Sequence, residues 1–287
     1  MGQTVRTRDG LALARRDWPS ADARGTIVIV HGLGEHIGRY AHVAARLNAG
    51  RWSVVGYDQR GHGASPGERG RIAADDDLLA DLAAVVDTVR AEAGGPLVLL
   101  GHSLGGLVVA RFVAAALESA RPPWQRDVDA LVLSSPALDI GMTGARRALL
   151  ATLEKVTPNL GIGNGLDATG ISRDPAVVAA YRSDPLVHDR IAPRLIRFLA
   201  DAGPMVRESA PRWTVPTLLL YAGSDRLVVA AGSAAFAAAA PASLVTARPF
   251  GSLFHEIFNE PEQDEVLAVL TAWLDTLNLS SMTRSPR

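Results

Sequence analysis

The chain has 287 residues, a formal net charge of −1, 48% hydrophobic and 21% charged residues, and no cysteine. This is the composition of an ordinary globular protein, long enough for one large α/β core or for a core with a smaller inserted domain. A charge near zero gives no field that attracts nucleic-acid phosphates, and the lack of cysteine excludes disulfides, thiolate catalysis and cysteine-ligated zinc.

The amino-terminal part of the chain predicts a cytoplasmic protein that opens with a β-hairpin. The first thirty residues lack the charged segment and apolar run of a secretory signal. Asp9-Gly10 tolerates the positive φ of a tight turn and separates two extended runs, 4–8 and 11–16. No apolar stretch of the sequence has transmembrane length.

Short apolar runs, each bounded by Gly, Pro or Ser, predict the buried strands of a central parallel sheet. They are residues 26–30, 53–57, 97–100, 130–133, 217–221 and 244–246. Helical patterns lie between them, as at 78–89, where apolar residues recur on one face after three aspartates, and from about Pro261 to Leu277. Strands that alternate with helices indicate a mostly parallel, doubly wound α/β sheet.

The segment 139–211 interrupts this alternation. It contains two helical patterns, one from Leu149 to Val156 and one from Ile191 to Leu199, but no convincing strand. Its position predicts a helical cap over the carboxyl ends of the strands, where open α/β sheets bind ligands. Residues 1–138 and 212–279 then form the core, and the polar tail 280–287 is expected to be disordered.

The pentapeptide Gly101-His102-Ser103-Leu104-Gly105 lies between the apolar run 97–100 and the helical run 107–116. A nucleophile elbow needs a glycine on each side of the serine, because the strained strand-to-helix turn brings neighbouring side chains against the adjacent backbone. We therefore predict that Ser103 is a catalytic nucleophile. The alternative is a glycine-rich turn with an idle serine.

A serine nucleophile needs a general base and a carboxylate that orients the base. When this pattern occurs, the acid and the histidine follow the serine in the chain, and His188 and His255 are the histidines that do so. His255 lies in a loop after the last strand, whereas His188 falls in the cap segment and suits a surface or capping role. Asp225 follows the run 217–221 and is the predicted acid, with a loop-capping aspartate as the alternative.

Backbone amides are expected to bind the oxyanion of the tetrahedral intermediate. Leu104, directly after the nucleophile, supplies the first N–H. The loop His31-Gly32-Leu33-Gly34 follows the strand 26–30, and its glycines let the backbone approach a substrate. Leu33 N–H is therefore the predicted second donor.

Other chemistries fit the sequence less well. The stretch Gly32-Leu33-Gly34 with Gly38 and the later Asp58 imitates a dinucleotide-binding fingerprint, but the third glycine is one residue late and Asp58 is distant. A dehydrogenase also leaves Ser103, Asp225 and His255 unexplained. No metal-binding pattern is found, so we expect neither a metal nor a cofactor.

Three glycine-rich blocks carry a family resemblance: HGLGEHIGRY at 31–40, DQRGHGASPGERG at 58–70 and GHSLGG at 101–106. Together they resemble monoacylglycerol lipases of the α/β-hydrolase superfamily. The resemblance extends through 135–138, 184–186 and 255–260, and so spans nearly the whole chain after the first hairpin. Lysophospholipase-like and general esterase relatives share the first two blocks.

The resemblance implies a cofactor-free hydrolase in which Ser103 attacks an ester carbonyl, His255 moves the proton and Asp225 holds the imidazolium. Glu35 and Arg39, carried over by motif, would lie towards the alcohol-binding end of the pocket, a helix salt bridge being the alternative for Arg39. An apolar cap would shield one acyl chain and exclude water, which predicts preference for monoesters over triglycerides.

Three functions remain open at this point: a monoacylglycerol lipase, a broader carboxylesterase or lysophospholipase on the same residues, and a non-catalytic relative that binds a ligand. The complete set Ser103, Asp225 and His255 counts against the last. Leu149, Leu150 and Leu153 suggest a face that touches lipid surfaces, although such stripes are more often core. Peripheral membrane contact is therefore a minority hypothesis.

Overall fold

A computed structural model describes residues 3–277 and has a central eight-stranded sheet. The tail predicted at 280–287 lies outside these residues. The strands are β1 (Thr4–Arg6), β2 (Ala12–Trp18), β3 (Thr26–Val30), β4 (Ser53–Tyr57), β5 (Leu97–His102), β6 (Ala130–Ser134), β7 (Ile162–Gly163), β8 (Arg190–Ile191), β9 (Thr217–Ala222) and β10 (Val245–Phe250). In the sheet they follow the order β1-β2-β4-β3-β5-β6-β9-β10, and β7 pairs separately with β8.

The sheet is parallel from β4 to β10 and antiparallel at its first edge. β1 pairs with β2 in the predicted hairpin, and β2 runs antiparallel to β4. All pairs from β4 through β3, β5, β6 and β9 to β10 are parallel, so their carboxyl ends meet at one edge. The predicted mostly parallel α/β sheet is confirmed.

Helices cover both faces of this sheet. The α-helices of the described residues are α1 (Ala41–Ala49), α2 (Asp77–Glu92), α3 (Leu104–Ala114), α4 (Gly144–Val156), α5 (Pro175–Ser183), α6 (Pro193–Ser209), α7 (Ala230–Ala239) and α8 (Gln263–Thr276), of which α4 and α5 lie in the segment 139–211 and not on the sheet. In β3, Val28 and Val30 belong to the core on the side of α2, α3, α6 and α7, whereas Ile27 and Ile29 belong to the core on the side of α1 and α8. Because successive strand residues point to opposite faces, an unbroken apolar run is what a doubly covered strand requires.

The segment between β6 and β9 contains the two predicted helices, which are α4 and α6, and a further helix, α5, that was not predicted. The expectation that it holds no strand is wrong. Ile162 and Gly163 of β7 pair antiparallel with Ile191 and Arg190 of β8. Two-residue strands are too short to show a period-two pattern. Ile191 therefore belongs to β8 and not to the following helix, which begins at Pro193.

No helix within residues 3–277 is both long enough and apolar enough to cross a membrane.

Candidate active site

Ser103 lies at the turn between β5 and α3, at the carboxyl edge of the sheet. Its backbone has φ 54° and ψ −118°, a strained conformation for a residue with a side chain. A Cβ on Gly101 would collide with the Gly105 backbone, and a Cβ on Gly105 would collide with the backbone of Val30 and His31. The turn therefore forms only with glycine at both positions, as the elbow pattern predicts.

The structure brings Ser103, His255 and Asp225 into one hydrogen-bonded chain. His255 Nε2 lies 2.8 Å from Ser103 Oγ, and His255 Nδ1 lies 2.7 Å from Asp225 Oδ2. The other carboxylate oxygen of Asp225 accepts the N–H groups of Leu227 and Val228 at 2.8 and 3.0 Å. These contacts fix the carboxylate, so that Nδ1 carries the proton and Nε2 is free to accept one from the serine.

The charges around the hydrogen-bonded residues Ser103, His255 and Asp225 favour the protonated form of the His255 imidazole. Burial of His255 acts to lower its pKa, but Asp225, with smaller contributions from Glu256 and Glu35, raises the pKa above its ordinary value of 6.5. Burial acts to raise the pKa of Asp225, yet His255 holds that pKa below its ordinary range. The histidine can therefore take a proton while Asp225 stays ionised.

The two predicted oxyanion donors lie beside the serine. Leu104 is the first residue of α3, so its N–H is one of the helix amides that have no acceptor inside the helix. Leu33 lies in the loop after β3, and both leucines line the same cavity as Ser103. The positive end of α3 also points to this place.

Glu35 and Arg39 lie close together, and Glu256 joins them. Arg39 Nη1 donates to Glu35 Oε2 at 2.8 Å and to Glu256 Oε1 at 2.6 Å, while Nη2 donates to Glu256 Oε2 at 2.7 Å. Glu35 Oε1 accepts from Gly32 N–H at 2.6 Å and from Tyr40 Oη at 2.7 Å. Glu35 lines the cavity, whereas Arg39 is not among the lining residues.

Two residues that the sequence analysis did not select also contact this site. The ring of His102 lies 4.8 Å from the ring of His255, centre to centre, and His102 Nδ1 lies 3.1 Å from Ser134 Oγ. Burial and the charge of His255 lower the pKa of His102 to about 4, so its ring is neutral near pH 7. Glu256 directly follows His255, the candidate catalytic base, and this adjacency is the feature of the sequence that could have identified Glu256 as a site residue.

A cavity of about 710 Å³ opens beside Ser103, between the sheet edge and the segment 139–211. Its volume falls within the range of small-molecule sites. The segment contributes aliphatic side chains to its wall, among them Ile140, Leu166, Ile171, Val187, Ile196 and Leu199. The arrangement places a nucleophile at the wall of a chamber that has aliphatic side chains and also charged ones, such as Arg146, Arg182 and Asp184.

The same segment is bonded to both loops that carry the site. Ile171 O accepts the N–H of Glu256 at 2.8 Å, next to His255. His188 N–H donates to Gly34 O at 2.8 Å, and Asp184 Oδ2 lies 2.8 Å from His36 Nε2. His188 thus lies against the loop after β3, where its ring is 4.6 Å from that of His62, and His255 is the histidine that contacts the serine.

The alternative chemistries gain no support from these positions. Asp58 is buried, and its carboxylate accepts the N–H groups of Ile37 and Ala64, both at 2.8 Å, so that it shapes the loops. Among residues 3–277, no three His, Asp or Glu side chains are grouped in a way that could hold a metal ion.

Comparison with known proteins gives consistent matches over most of the chain. A family model described as serine aminopeptidase, S33, matches residues 21–262. A monoacylglycerol lipase from Mycolicibacterium smegmatis is 37% identical over 267 residues, which cover 89% of this chain and 90% of the relative. The phospholipase YtpA of Bacillus subtilis is 30% identical over 262 residues, covering 90% and 98%.

Among solved structures, the crystal structure of the monoacylglycerol lipase from Paleococcus ferrophilus has a TM-score of 0.80 and 34% sequence identity. The match covers 91% of this chain and 98% of that chain.

Proposed function

The chain belongs to the serine aminopeptidase S33 family of α/β-hydrolases, and on that premise we propose that it hydrolyses monoacylglycerols to glycerol and a fatty acid. The observation that carries the proposal is the hydrogen-bonded chain from Ser103 through His255 to Asp225 at the wall of a cavity of about 710 Å³ that is partly lined by aliphatic side chains. The family is named after a peptidase, but the relatives described above are lipases and a phospholipase.

In the proposed reaction, Ser103 Oγ attacks the ester carbonyl while its proton passes to His255 Nε2. The carbonyl π electrons move to the oxygen, and the N–H groups of Leu33 and Leu104 stabilise the resulting oxyanion. When the carbonyl re-forms, the bond to the alcohol oxygen breaks, and His255 gives its proton to the departing glycerol. A water molecule, deprotonated by His255, then cleaves the acyl-serine by the same steps in reverse and releases the fatty acid.

The cavity supports a single-chain substrate. Its aliphatic wall, supplied largely by the segment 139–211, suits one acyl chain and shields the reacting bond from water, which strengthens the oxyanion hydrogen bonds. We therefore propose that this segment acts as the cap. Glu35, Glu256 and Tyr181 give the cavity a polar side near the serine, where the glycerol group would lie. The Bacillus subtilis relative keeps a phospholipase reaction as the second candidate.

We also propose that the cap contacts the lipid surface from which the substrate comes. Leu149, Leu153 and Val156 of α4 form one exposed apolar row, with 61%, 37% and 74% of their surfaces accessible. Leu150, which the sequence analysis placed in this face, is buried in the structure. It lies on the helix side that packs inward, because consecutive helical residues point about 100° apart.

The test is fatty-acid release from a matched panel of mono-, di- and triacylglycerols, a lysophospholipid and a p-nitrophenyl ester, with Ser103→Ala as the negative control. We expect selective turnover of the monoacylglycerol, reduced by about 10³-fold or more in Ser103→Ala. Turnover of the activated ester alone would retain the mechanism and overturn the substrate. A folded protein that turns over nothing would overturn the enzymatic function.

A further inference from the structure

The loop that carries Leu33 is held by a buried carboxylate. Gly32 N–H, in the residue directly before Leu33, donates to Glu35 Oε1 at 2.6 Å. The same oxygen accepts from Tyr40 Oη at 2.7 Å, and the second oxygen accepts from Arg39 at 2.8 Å. Only 3% of the Glu35 surface is accessible. Three protein donors therefore surround this carboxylate, which has about four acceptor positions in all.

Glu35 is ionised in this environment. Burial acts to raise its pKa, but Arg39, the neighbouring histidines and the Tyr40 hydroxyl together lower the pKa to about 2. An ionised carboxylate accepts hydrogen bonds and donates none, and bonds to a charged acceptor are the stronger ones. Gly32 N–H therefore has a fixed direction, towards Glu35 Oε1.

The direction of Gly32 N–H bears on the next amide in the chain. Glycine can adopt the widest range of φ and ψ angles. Rotation about the backbone bonds of Gly32 is therefore the easiest way to turn Leu33 N–H away from the oxyanion. The Glu35 bond restrains the peptide before Gly32. On the other side of Leu33, the carbonyl of Gly34 accepts His188 N–H at 2.8 Å. The segment Gly32-Leu33-Gly34 thus lies between two fixed peptide groups.

We propose that Glu35 is a positioning residue that holds the loop 32–34 so that Leu33 N–H points at the oxyanion. This role differs from contact with the alcohol part of the substrate, which the family resemblance implies for Glu35. It rests on the proposed ester hydrolysis, because only a reaction with an oxyanion makes use of the amide direction. The contribution of Glu35 is to kcat, since the donor is used in the transition state.

Two substitutions separate position from charge. Glu35→Gln keeps the side-chain length but lacks the charge, and Glu35→Asp keeps the charge but is shorter by about 1.5 Å, one carbon–carbon bond. A positioning role predicts that Glu35→Asp, which draws the acceptor away from Gly32 N–H, loses about 10- to 100-fold in kcat with little change in KM, because a misdirected donor costs less than a missing one. Glu35→Gln keeps an acceptor oxygen for Gly32 N–H but turns its NH₂ group towards Arg39, so its loss should be the smaller of the two. A role of charge alone predicts that Glu35→Asp keeps its activity.

Glu260→Gln is the matched structural control. Glu260 is also a buried glutamate that accepts a backbone N–H, that of Arg173 at 2.6 Å, and an arginine side chain, that of Arg173 at 2.5 Å. Its substitution therefore reproduces the loss of a buried charge and weakens a hydrogen bond from a backbone N–H that lies outside the loop 32–34. Melting temperatures of all variants report whether their folding is comparable.

The decisive readout is binding of a long-chain trifluoromethyl ketone against its methyl ketone. The fluorinated compound forms a hemiketal oxyanion with Ser103, whereas the methyl ketone binds mainly through its chain. We expect the Glu35 variants to lose trifluoromethyl ketone affinity in parallel with kcat/KM and to keep methyl ketone affinity. Glu260→Gln should change the two affinities equally.

The outcomes distinguish this proposal from the proposed function. Full kcat and full trifluoromethyl ketone affinity in Glu35→Asp overturn the positioning role even if Glu35→Gln fails to fold. Equal losses of both ketones also overturn it. A wild-type protein that turns over p-nitrophenyl esters but no monoacylglycerol overturns the substrate alone, and the Glu35 comparison then proceeds on that ester. Wild-type protein without any ester turnover overturns both.

Discussion

Arg39 and Glu256 face each other as a bidentate ion pair, with Nη1 and Nη2 lying 2.6 and 2.7 Å from the two carboxylate oxygens. The pair lies next to His255, the candidate catalytic base, because Glu256 directly follows His255 in the sequence. Glu35 shares the same arginine, so two carboxylates and one guanidinium leave a net charge of −1 in a nearly water-free region. This charge acts on the imidazole together with Asp225.

Replacement of Glu256 by Gln should make the enzyme active at lower pH. Glu256 is one of the groups that raise the pKa of His255. In Glu256→Gln the positive charge of Arg39 would be balanced by Glu35 alone, which lowers the pKa of His255 further. Hydrolysis needs neutral His255, so the acidic limb of the kcat/KM profile should move down by about half a pH unit to one unit. The measurement is a pH profile between 5 and 9. Glu265→Gln, an exposed carboxylate, is the control, and an unmoved limb in Glu256→Gln would refute the electrostatic role.

Asp225→Asn should inactivate the enzyme while the fold persists. Asn keeps an oxygen that can accept the Leu227 and Val228 amides, but its NH₂ group would face Nδ1 and favour the tautomer with the proton on Nε2. That tautomer cannot accept the serine proton. We expect kcat to fall by about 10³- to 10⁴-fold, measured by steady-state turnover alongside the melting temperature. Activity within tenfold of wild type would remove Asp225 from the mechanism.

Stability should fall as the pH decreases from about 6.5 to about 4. Burial is the main reason that the pKa values of His31, His62 and His102 lie below 6.5, so the unfolded chain binds protons that the folded chain excludes. Unfolding is then favoured progressively below the unfolded pKa. His102, with a folded pKa of about 4, accounts for about 3 kcal/mol of this loss.

Urea unfolding at a series of pH values measures this effect. The free energy of unfolding should rise with pH through the window from 4 to 6.5, and His102→Gln should reduce the slope. An unchanged slope in that variant would show that His102 titrates in the folded protein as it does in the unfolded chain.

Leu149→Ser combined with Val156→Ser should weaken binding to vesicles. Both residues belong to the exposed apolar row on α4, and each buried methylene group contributes about 0.8 kcal/mol to membrane partition. Flotation with phosphatidylcholine vesicles that contain monoacylglycerol measures the bound fraction. Met205→Ser, which removes an exposed apolar side chain from α6, is the control. Wild-type protein that does not float would eliminate the lipid-surface proposal.

The sheet was predictable because each central strand is apolar on both faces. The runs 26–30 and 53–57 match β3 and β4, whereas the run 244–246 finds only the start of β10. At the sheet edge β10 continues through Arg248 and Pro249, which are exposed, so the apolar signal ends before the strand does. The strands β7 and β8 have two residues each, which is too short for an alternation of apolar and polar residues to be recognised in the sequence.

The site was predictable only where its chemistry is local in sequence. Ser103 has its glycines beside it, and Asp225 and His255 follow strands, so each could be selected from its neighbours. The bond between Arg39 and Glu256 joins positions 217 residues apart, and no pattern near either residue indicates it. The sequence likewise places Leu150 on the stripe with Leu149, but the packing of α4 decides which of them is exposed.

The insertion between β6 and β9 holds the hydrolytic groups in place as well as covering them. Its stretch 171–188 is hydrogen-bonded to Glu256, next to the base, and to Gly34, next to the oxyanion loop, whereas α4 presents its apolar row to solvent. The hydrogen bonds to the catalytic loops and the exposed apolar row therefore belong to different stretches of one insertion. Because 171–188 also contributes Ile171 and Val187 to the cavity wall, substitutions there should affect both the catalytic loops and the fit of the substrate, whereas substitutions in the exposed row of α4 should leave the cavity wall unchanged.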